Sequence, residues 1–141
     1  MRNPKGFTLM EMILVVVIIG LLAALVVPRL VGKAGQAKES AALAQVQMFK
    51  QALNQFELDC GRLPTTAEGL RALVERPQSL PPTANWSRYL DESYVPKDPW
   101  GNDFVYRQPG RVNPDGYDLF SPGPDGRADT EDDIGNTRKP Q

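Results

Sequence analysis

Five carboxylates fall between Asp125 and Asp133: Asp125, Asp129, Glu131, Asp132 and Asp133. Left unpaired they repel one another. A divalent cation would relieve that repulsion and order the loop. Calcium suits such a segment, because it accepts roughly 6–8 oxygens from carboxylates, backbone carbonyls and water in flexible geometry, whereas magnesium demands a tighter octahedron. The loop is not an EF-hand. Counted from Asp125, position 3 is Arg127, position 6 is Thr130 rather than Gly, and position 12 is Asn136. Composition alone leaves two readings open, a calcium loop and a solvated acidic turn.

Other chemistry is narrowly bounded. The chain has no His, which removes the usual general base, the His-containing triads and the commonest metal ligand. A single Cys, Cys60, cannot close an intrachain disulfide or build a Cys-rich zinc site. It reads as a buried or half-buried thiol. A carboxylate pair can serve as acid and base, but the clustered acids share one loop and imply no pocket. The expectation is a protein that is not an enzyme.

Glu11 is the other carboxylate that stands out. From Phe7 to Val27 it is the only formal charge, and Met12 to Val27 contains nothing more polar than Gly20. A run of that length is about enough to span a bilayer, which takes roughly 20 residues. An acid in a membrane helix costs about 2.5–3.5 kcal/mol near the centre. Glu11 therefore either meets a partner or lies solvated at the headgroups. A cleaved secretory signal has a shorter apolar stretch, about 7–15 residues, and a plain signal anchor does not explain the acid. Arg2 and Lys5 precede the run and Arg29, Lys33 and Lys38 follow it, so charge does not set its orientation.

The elements that must position these groups follow from periodicity. Residues 1–50 carry six Lys/Arg and two Glu; residues 51–141 carry ten Lys/Arg and fifteen Asp/Glu. That asymmetry suggests one membrane-associated part and one soluble part. The basic residues are too scattered for a nucleic-acid footprint. Ala42, Val46, Phe49, Leu53 and Phe56 recur at spacings of 4, 3, 4 and 3, one apolar stripe of a helix. A single helix from about Phe7 to Leu58 is expected, bent or locally melted at Pro28. Thr65-Thr66-Ala67-Glu68 fits a capping box and predicts a short helix ended by Pro77. Trp86, Tyr89 and Leu90 are expected to pack a helical turn on the core. Pro96–Asn102 is turn-rich. Asp103–Arg107 and Gly116–Ser121 read as strands. The fold class is α+β, a long helix packed on a small antiparallel sheet.

The motifs also carry a resemblance. Lys5-Gly6-Phe7-Thr8-Leu9-Met10-Glu11 with the apolar run to Pro28 resembles the class III signal of type IV pilins and pseudopilins. Leu63-Pro64-Thr65-Thr66-Ala67-Glu68-Gly69-Leu70, Asp98-Pro99-Trp100-Gly101-Asn102 and Tyr117-Asp118-Leu119-Phe120-Ser121 resemble the protein G class of major pseudopilins of type II secretion systems.

The resemblance implies a pilin-like fold with a C-terminal calcium loop and a leader, residues 1–6, cleaved after Gly6 by a prepilin peptidase that methylates the new Phe7 amine. Residues 7–28 form the transmembrane and filament-core half of the helix, and residues 29–141 a periplasmic domain. The protein waits in the inner membrane as a single-pass subunit. It is drawn through an inner-membrane assembly platform into a helical homo-oligomer, the pseudopilus, together with minor pseudopilins, and so drives export of folded proteins across the outer membrane. Glu11 meets a neighbour's N-terminal amine. Asp125, Asp132 and Asp133 ligate Ca2+, with carbonyls of Pro122 and Thr130, and the loop leaves open whether Asp129 or Glu131 joins them. The rival readings are a type IV pilus subunit and a monomeric membrane-anchored periplasmic calcium-binding protein. A lone Cys60 speaks against the former, since such pilins often close their C-terminal loop with a Cys pair.

Overall fold

A computed structural model describes residues 7–137, with the side chains of 24–33 outside the described residues. The leader segment 1–6, Gly6 included, also lies outside them. The elements in order are α1 (Leu9–Cys60), a 3-10 helix (Gly69–Leu73), β1 (Val105–Arg107), β2 (Asp118–Ser121) and β3 (Ile134–Gly135). The chain divides between Ala37 and Lys38 into two units.

In the first unit α1 opens at Leu9 rather than Phe7. Thr8 is its N-cap, its hydroxyl accepting the Glu11 N–H at 3.2 Å. A side-chain oxygen there satisfies one of the donors that the first turn leaves free. Of the bend or local melting expected at Pro28, no melting is present: the backbone is helical from Leu9 to Cys60. Proline deletes one N–H from the ladder, and the flanking bonds hold the backbone helical. Among the described residues no helix is long and apolar enough to cross a membrane; the apolar run expected to do so ends among residues 24–27, whose side chains are not described.

The second unit is built on the stripe. Ala42, Val46, Phe49, Leu53 and Phe56 are all buried, as their spacing predicts. Val46, Phe49, Leu53 and Phe56 form one core with Leu70, Leu73, Phe104, Tyr106 and Leu119. Phe49 meets Phe104 edge-on at 4.9 Å between centroids, and Phe56 meets Tyr89 at 5.5 Å. The sheet is antiparallel in the order β1-β2-β3, pairing Tyr106 with Leu119 and Phe120 with Gly135. Both predicted strands exist but start later. Asp98 N–H bonds the Asn102 carbonyl, and Gly116 N–H bonds that of Asn113, so turns occupy the residues just before each. The sequence reading missed β3.

The capping box is present. Glu68 accepts the Thr65 N–H at 2.7 Å, and the Thr65 hydroxyl accepts the Glu68 N–H at 3.3 Å. The short helix expected behind it is present as a 3-10 helix of five residues. Gly69 sits at φ +58°, a left-handed position that stops an α-helix from running out of the box. The helical turn expected at Trp86–Leu90 is absent, although the packing is right. Trp86 Nε1 donates to the Ala72 carbonyl at 2.9 Å and the Tyr89 N–H to that of Leu73 at 2.9 Å. The segment spends its donors along the 3-10 helix rather than within itself. Cys60 is half-buried, its Sγ 3.6 Å from the Tyr89 hydroxyl.

Glu68 closes this part of the fold. Arg62 clamps it through two bonds of 2.8 Å, and the Ser79 hydroxyl also donates to it. The Arg62 guanidinium, helped by Ser79 and the Thr65 N–H against the opposing effect of burial, holds the Glu68 carboxyl at about 2, below an ordinary 4.5. A depressed carboxylate stabilises the fold above its unfolded value, and the contribution is lost as pH falls through the folded one. Glu68→Gln should therefore cost about 1–3 kcal/mol at pH 7. Melting wild type and variant in steps down to acid should show that difference full above about pH 5 and closing toward pH 2; a difference independent of pH would remove the ionic clamp from the account.

Candidate functional site

The acidic loop leaves β2 at Ser121 and returns as β3. Its carboxylates do different things. Asp129 is taken by arginine: Arg107 approaches its two oxygens at 2.8 and 3.2 Å, and Arg111 adds a bond of 3.3 Å. Those cations keep the Asp129 carboxyl below the usual range. Asp125 accepts the Arg127 N–H at 2.8 Å. Asp133 Oδ2 accepts the Asp129 N–H at 2.8 Å, whereas Asp133 Oδ1 is buried with no partner. Burial first, then the charges of Asp129 and Asp125, pushes the Asp133 carboxyl above the usual range against the N–H groups of Asp129 and Thr130. Asp132 lines a small cavity of about 120 Å³ with Glu39, Pro124, Glu131 and Ile134.

A buried oxygen without a donor is costly. Asp133 Oδ1 is such an oxygen, in a loop rich in carboxylate and carbonyl oxygens. That set fits a hard cation. Among the described residues no three Asp, Glu, His or Cys side chains are gathered closely enough to hold a metal ion. Asp125 and Asp133 lie within electrostatic reach of each other, and the Thr130 carbonyl accepts the Asp133 N–H at 3.3 Å. Pro122 is buried at the loop's entry.

The frame of the loop was not foreseen from the sequence. Asp98 is buried; its Oδ1 accepts the N–H groups of Trp100 and Asn102 at 3.0 and 2.7 Å. Its Oδ2 accepts the Ser121 hydroxyl at 2.5 Å. Asp118 is fully buried and accepts three backbone N–H groups, from Arg111, Val112 and Asn113, at 2.7–3.0 Å. Burial opposes its ionisation, and those donors with the Asn113 amide outweigh burial and hold it below the usual range. Asn136 ties β3 back, accepting the Leu119 N–H at 2.6 Å. The only sequence signal was the turn-rich Asp98–Asn102 and the polar ends of the strands.

At the N-terminus, Phe7 precedes the helix and Glu11 is exposed in its first turn. Thr8-x-x-Glu11 is the signature of a capping box, a signal the sequence offered and the reading above did not use. From Phe7 to Leu22 every large apolar side chain is exposed, none less than 41%.

Residues 29–137 match the family described as "Type II secretion system (T2SS), protein G". The chain belongs to that family. Residues 1–27 match the prokaryotic N-terminal methylation motif. The type II secretion system core protein G of Escherichia coli K12 is 47% identical over 137 residues, covering 95% of this chain and 91% of that protein. The Pseudomonas aeruginosa core protein G is 43% identical over 140 residues and 96% of each chain. A crystal structure of the major pseudopilin from the type 2 secretion system of enterohaemorrhagic E. coli superposes with a TM-score of 0.64 at 39% identity, over 74% of this chain and 87% of that one. The fold is thus that of a protein G pseudopilin, and the type IV pilus reading gives way to it. The family is one of structural subunits.

In this protein G chain the loop turns on Gly123, at φ +69° and so close to Asp132 that a Cβ would collide with the Asp132 carbonyl. Gly123→Ala should destabilise the second unit by about 1–3 kcal/mol. Gly116→Ala, with open space around it, should stay within about 0.5 kcal/mol. Urea unfolding of both variants is the check, and equal midpoints would contradict the close approach.

Proposed function

We propose that this chain is the main building block of a type II secretion pseudopilus, anchored in the inner membrane before assembly with its second unit in the periplasm. The observation that carries the reading is the unpacked apolar half of α1. A helix that is apolar all round is stable only inside a membrane or a packed assembly. A subunit that moves from bilayer to filament core uses the same surface in both. The methylation-motif match supports cleavage between Gly6 and Phe7 by a prepilin peptidase, with methylation of Phe7. Minor pseudopilins and a membrane assembly platform are the partners this role requires.

Glu11 belongs to assembly on this reading. In hydrocarbon a carboxylate and an ammonium about 4 Å apart attract far more strongly than in water. A subunit that brings Glu11 to a neighbour's Phe7 amine lowers the cost of both charges and sets axial register. Glu11→Ala should be inserted and should yield a mature chain beginning at Phe7 by mass, yet give few filaments on overproduction and little secretion. Filaments at wild-type yield would return Glu11 to a solvated role, and a wild type that stays monomeric would favour the membrane-anchored calcium-binding protein.

The acidic loop takes one calcium ion in this proposal, held by Asp125, Asp132 and Asp133 with carbonyls of Pro122 and Thr130. Bound, the ion supplies positive charge where Asp133 Oδ1 lacks a donor and staples a domain without a disulfide. The Asp129 carboxylate stays with Arg107 and Arg111. A ligand that binds only the folded state adds about 2.7 kcal/mol at a hundredfold excess over Kd. Melting should rise by roughly 10–20 °C with calcium over chelator, at about 4–8 °C per kcal/mol. Asp133→Asn should lose most of that rise and Asp129→Asn should keep it. A wild type that melts identically in both buffers would end the calcium reading.

A further inference from the structure

The Asp98-Pro99-Trp100-Gly101-Asn102 segment is far from the acidic loop in sequence and against it in space. One end of the segment is tied to α1. The Gln45 side chain donates to the Lys97 carbonyl at 3.0 Å, and Lys38 Nζ lies 5.9 Å from the centre of the Trp100 ring. The other end grips the loop entry through three groups. The Asp98 carboxylate holds the Ser121 hydroxyl at 2.5 Å, and that hydroxyl oxygen accepts the Gly123 N–H at 3.0 Å. Asn102 Nδ2 donates to the Gly123 carbonyl at 3.0 Å. Asn102 Oδ1 would lie 3.1 Å from a Cβ added at Gly126, a tight approach. Both polar groups of Gly123 are thereby held by side chains, the N–H by Ser121 at the end of β2 and the carbonyl by Asn102. Pro122 and Asp125 sit one and two residues from this anchored point.

We propose that Asp98, Asn102 and Ser121 are positioning residues for the cation loop: they clamp Gly123 to a turn bolted on α1 and so preset the Pro122 carbonyl and the Asp125 carboxylate before any ion arrives. This rests on the calcium reading of the loop. None of the three touches the ion in this account. Their work is to keep donors at the mouth of the loop from dispersing, which lowers the ordering cost that binding otherwise carries. Groups that orient ligands from behind typically change metal affinity by about 10–100-fold when removed.

The test uses the full chain in detergent. Calcium affinity is measured by competition with a chromophoric chelator, and amide hydrogen exchange of residues 123–133 is followed in chelator alone. Asn102→Ala and Ser121→Ala remove the grip without emptying a large volume, and Thr66→Ala, whose hydroxyl bonds Gln108 at 2.8 and 3.0 Å and none of the loop-entry groups, is the control for general destabilisation. The expected result is a rise in Kd of about tenfold or more for the two loop-entry variants, faster exchange at Gly123 and Gly126, and an unchanged Kd for Thr66→Ala. An unchanged Kd in both loop-entry variants overturns the proposal, whatever their melting temperatures. So does a Kd that rises equally in the control. If the wild type binds no calcium, the calcium reading fails separately, and hydrogen exchange still decides the grip: faster exchange in Asn102→Ala upholds it, and unaltered exchange removes it.

Discussion

Buried backbone N–H groups must be paired, and from Gly61 onward this chain has little regular structure in which to pair them. Its strands are short and its 3-10 helix is a single turn or so. Three acidic side chains meet the demand instead. Glu68 takes the Thr65 N–H, Asp98 those of Trp100 and Asn102, and Asp118 those of Arg111, Val112 and Asn113. An ionised acceptor makes roughly twice as strong a bond as a neutral one. Each carboxylate therefore does locally what a ladder partner does in a sheet, and it is cheap to bury because its lone pairs are filled.

That arrangement places each loop against something rigid. Glu68 fastens the capped turn to Arg62 just past the end of α1. Asp98 joins the turn beside α1 to β2 through Ser121. Asp118 folds the Gln108–Tyr117 connection back on β2. The stripe from Ala42 to Phe56 is the common floor beneath all three. The acidic loop is the exception in this scheme: Asp133 is half-buried, and its buried Oδ1 has no donor. The same side-chain type that is satisfied at three sites is unsatisfied at the fourth, which is the physical ground for expecting an ion there.

The stripe, the capping box, two of three strands and the acidic loop were legible because each rests on local spacing. A period of 3.6 names buried faces, and Thr-x-x-Glu names a turn. What was missed depends on distant partners. The two-residue β3 is too short to show a pattern; it exists because Gly135 lets its backbone lie against Leu119 and Phe120, where a Cβ would collide. Trp86 and Tyr89 looked helical by their apolar character, but their donors were claimed by Ala72 and Leu73. The roles of Asp98 and Asp118 could not be read, because their partners are backbone amides and these have no letter in a sequence. Asp129 and Asp133 look alike in the acidic run and differ through the burial of Asp133 and through Arg107 and Arg111, brought to Asp129 from β1 and the loop that follows it.

Glu11 shows how a local and a distant explanation can be weighed. Thr8 caps the helix and Glu11 stands in its first turn, where the helix dipole favours an acid by about 0.3–1 kcal/mol. That local benefit is enough to explain a first-turn acid on a water-exposed helix. It is not enough for one that leads an apolar run into hydrocarbon, where the cost reaches about 2.5–3.5 kcal/mol at the centre. The dipole offsets a minority of that cost, and a nearby ammonium is the kind of group that offsets the rest. On the membrane reading the first turn of α1 therefore carries a charge whose balance lies outside the subunit, and a monomer holding it is poised to add to a neighbour.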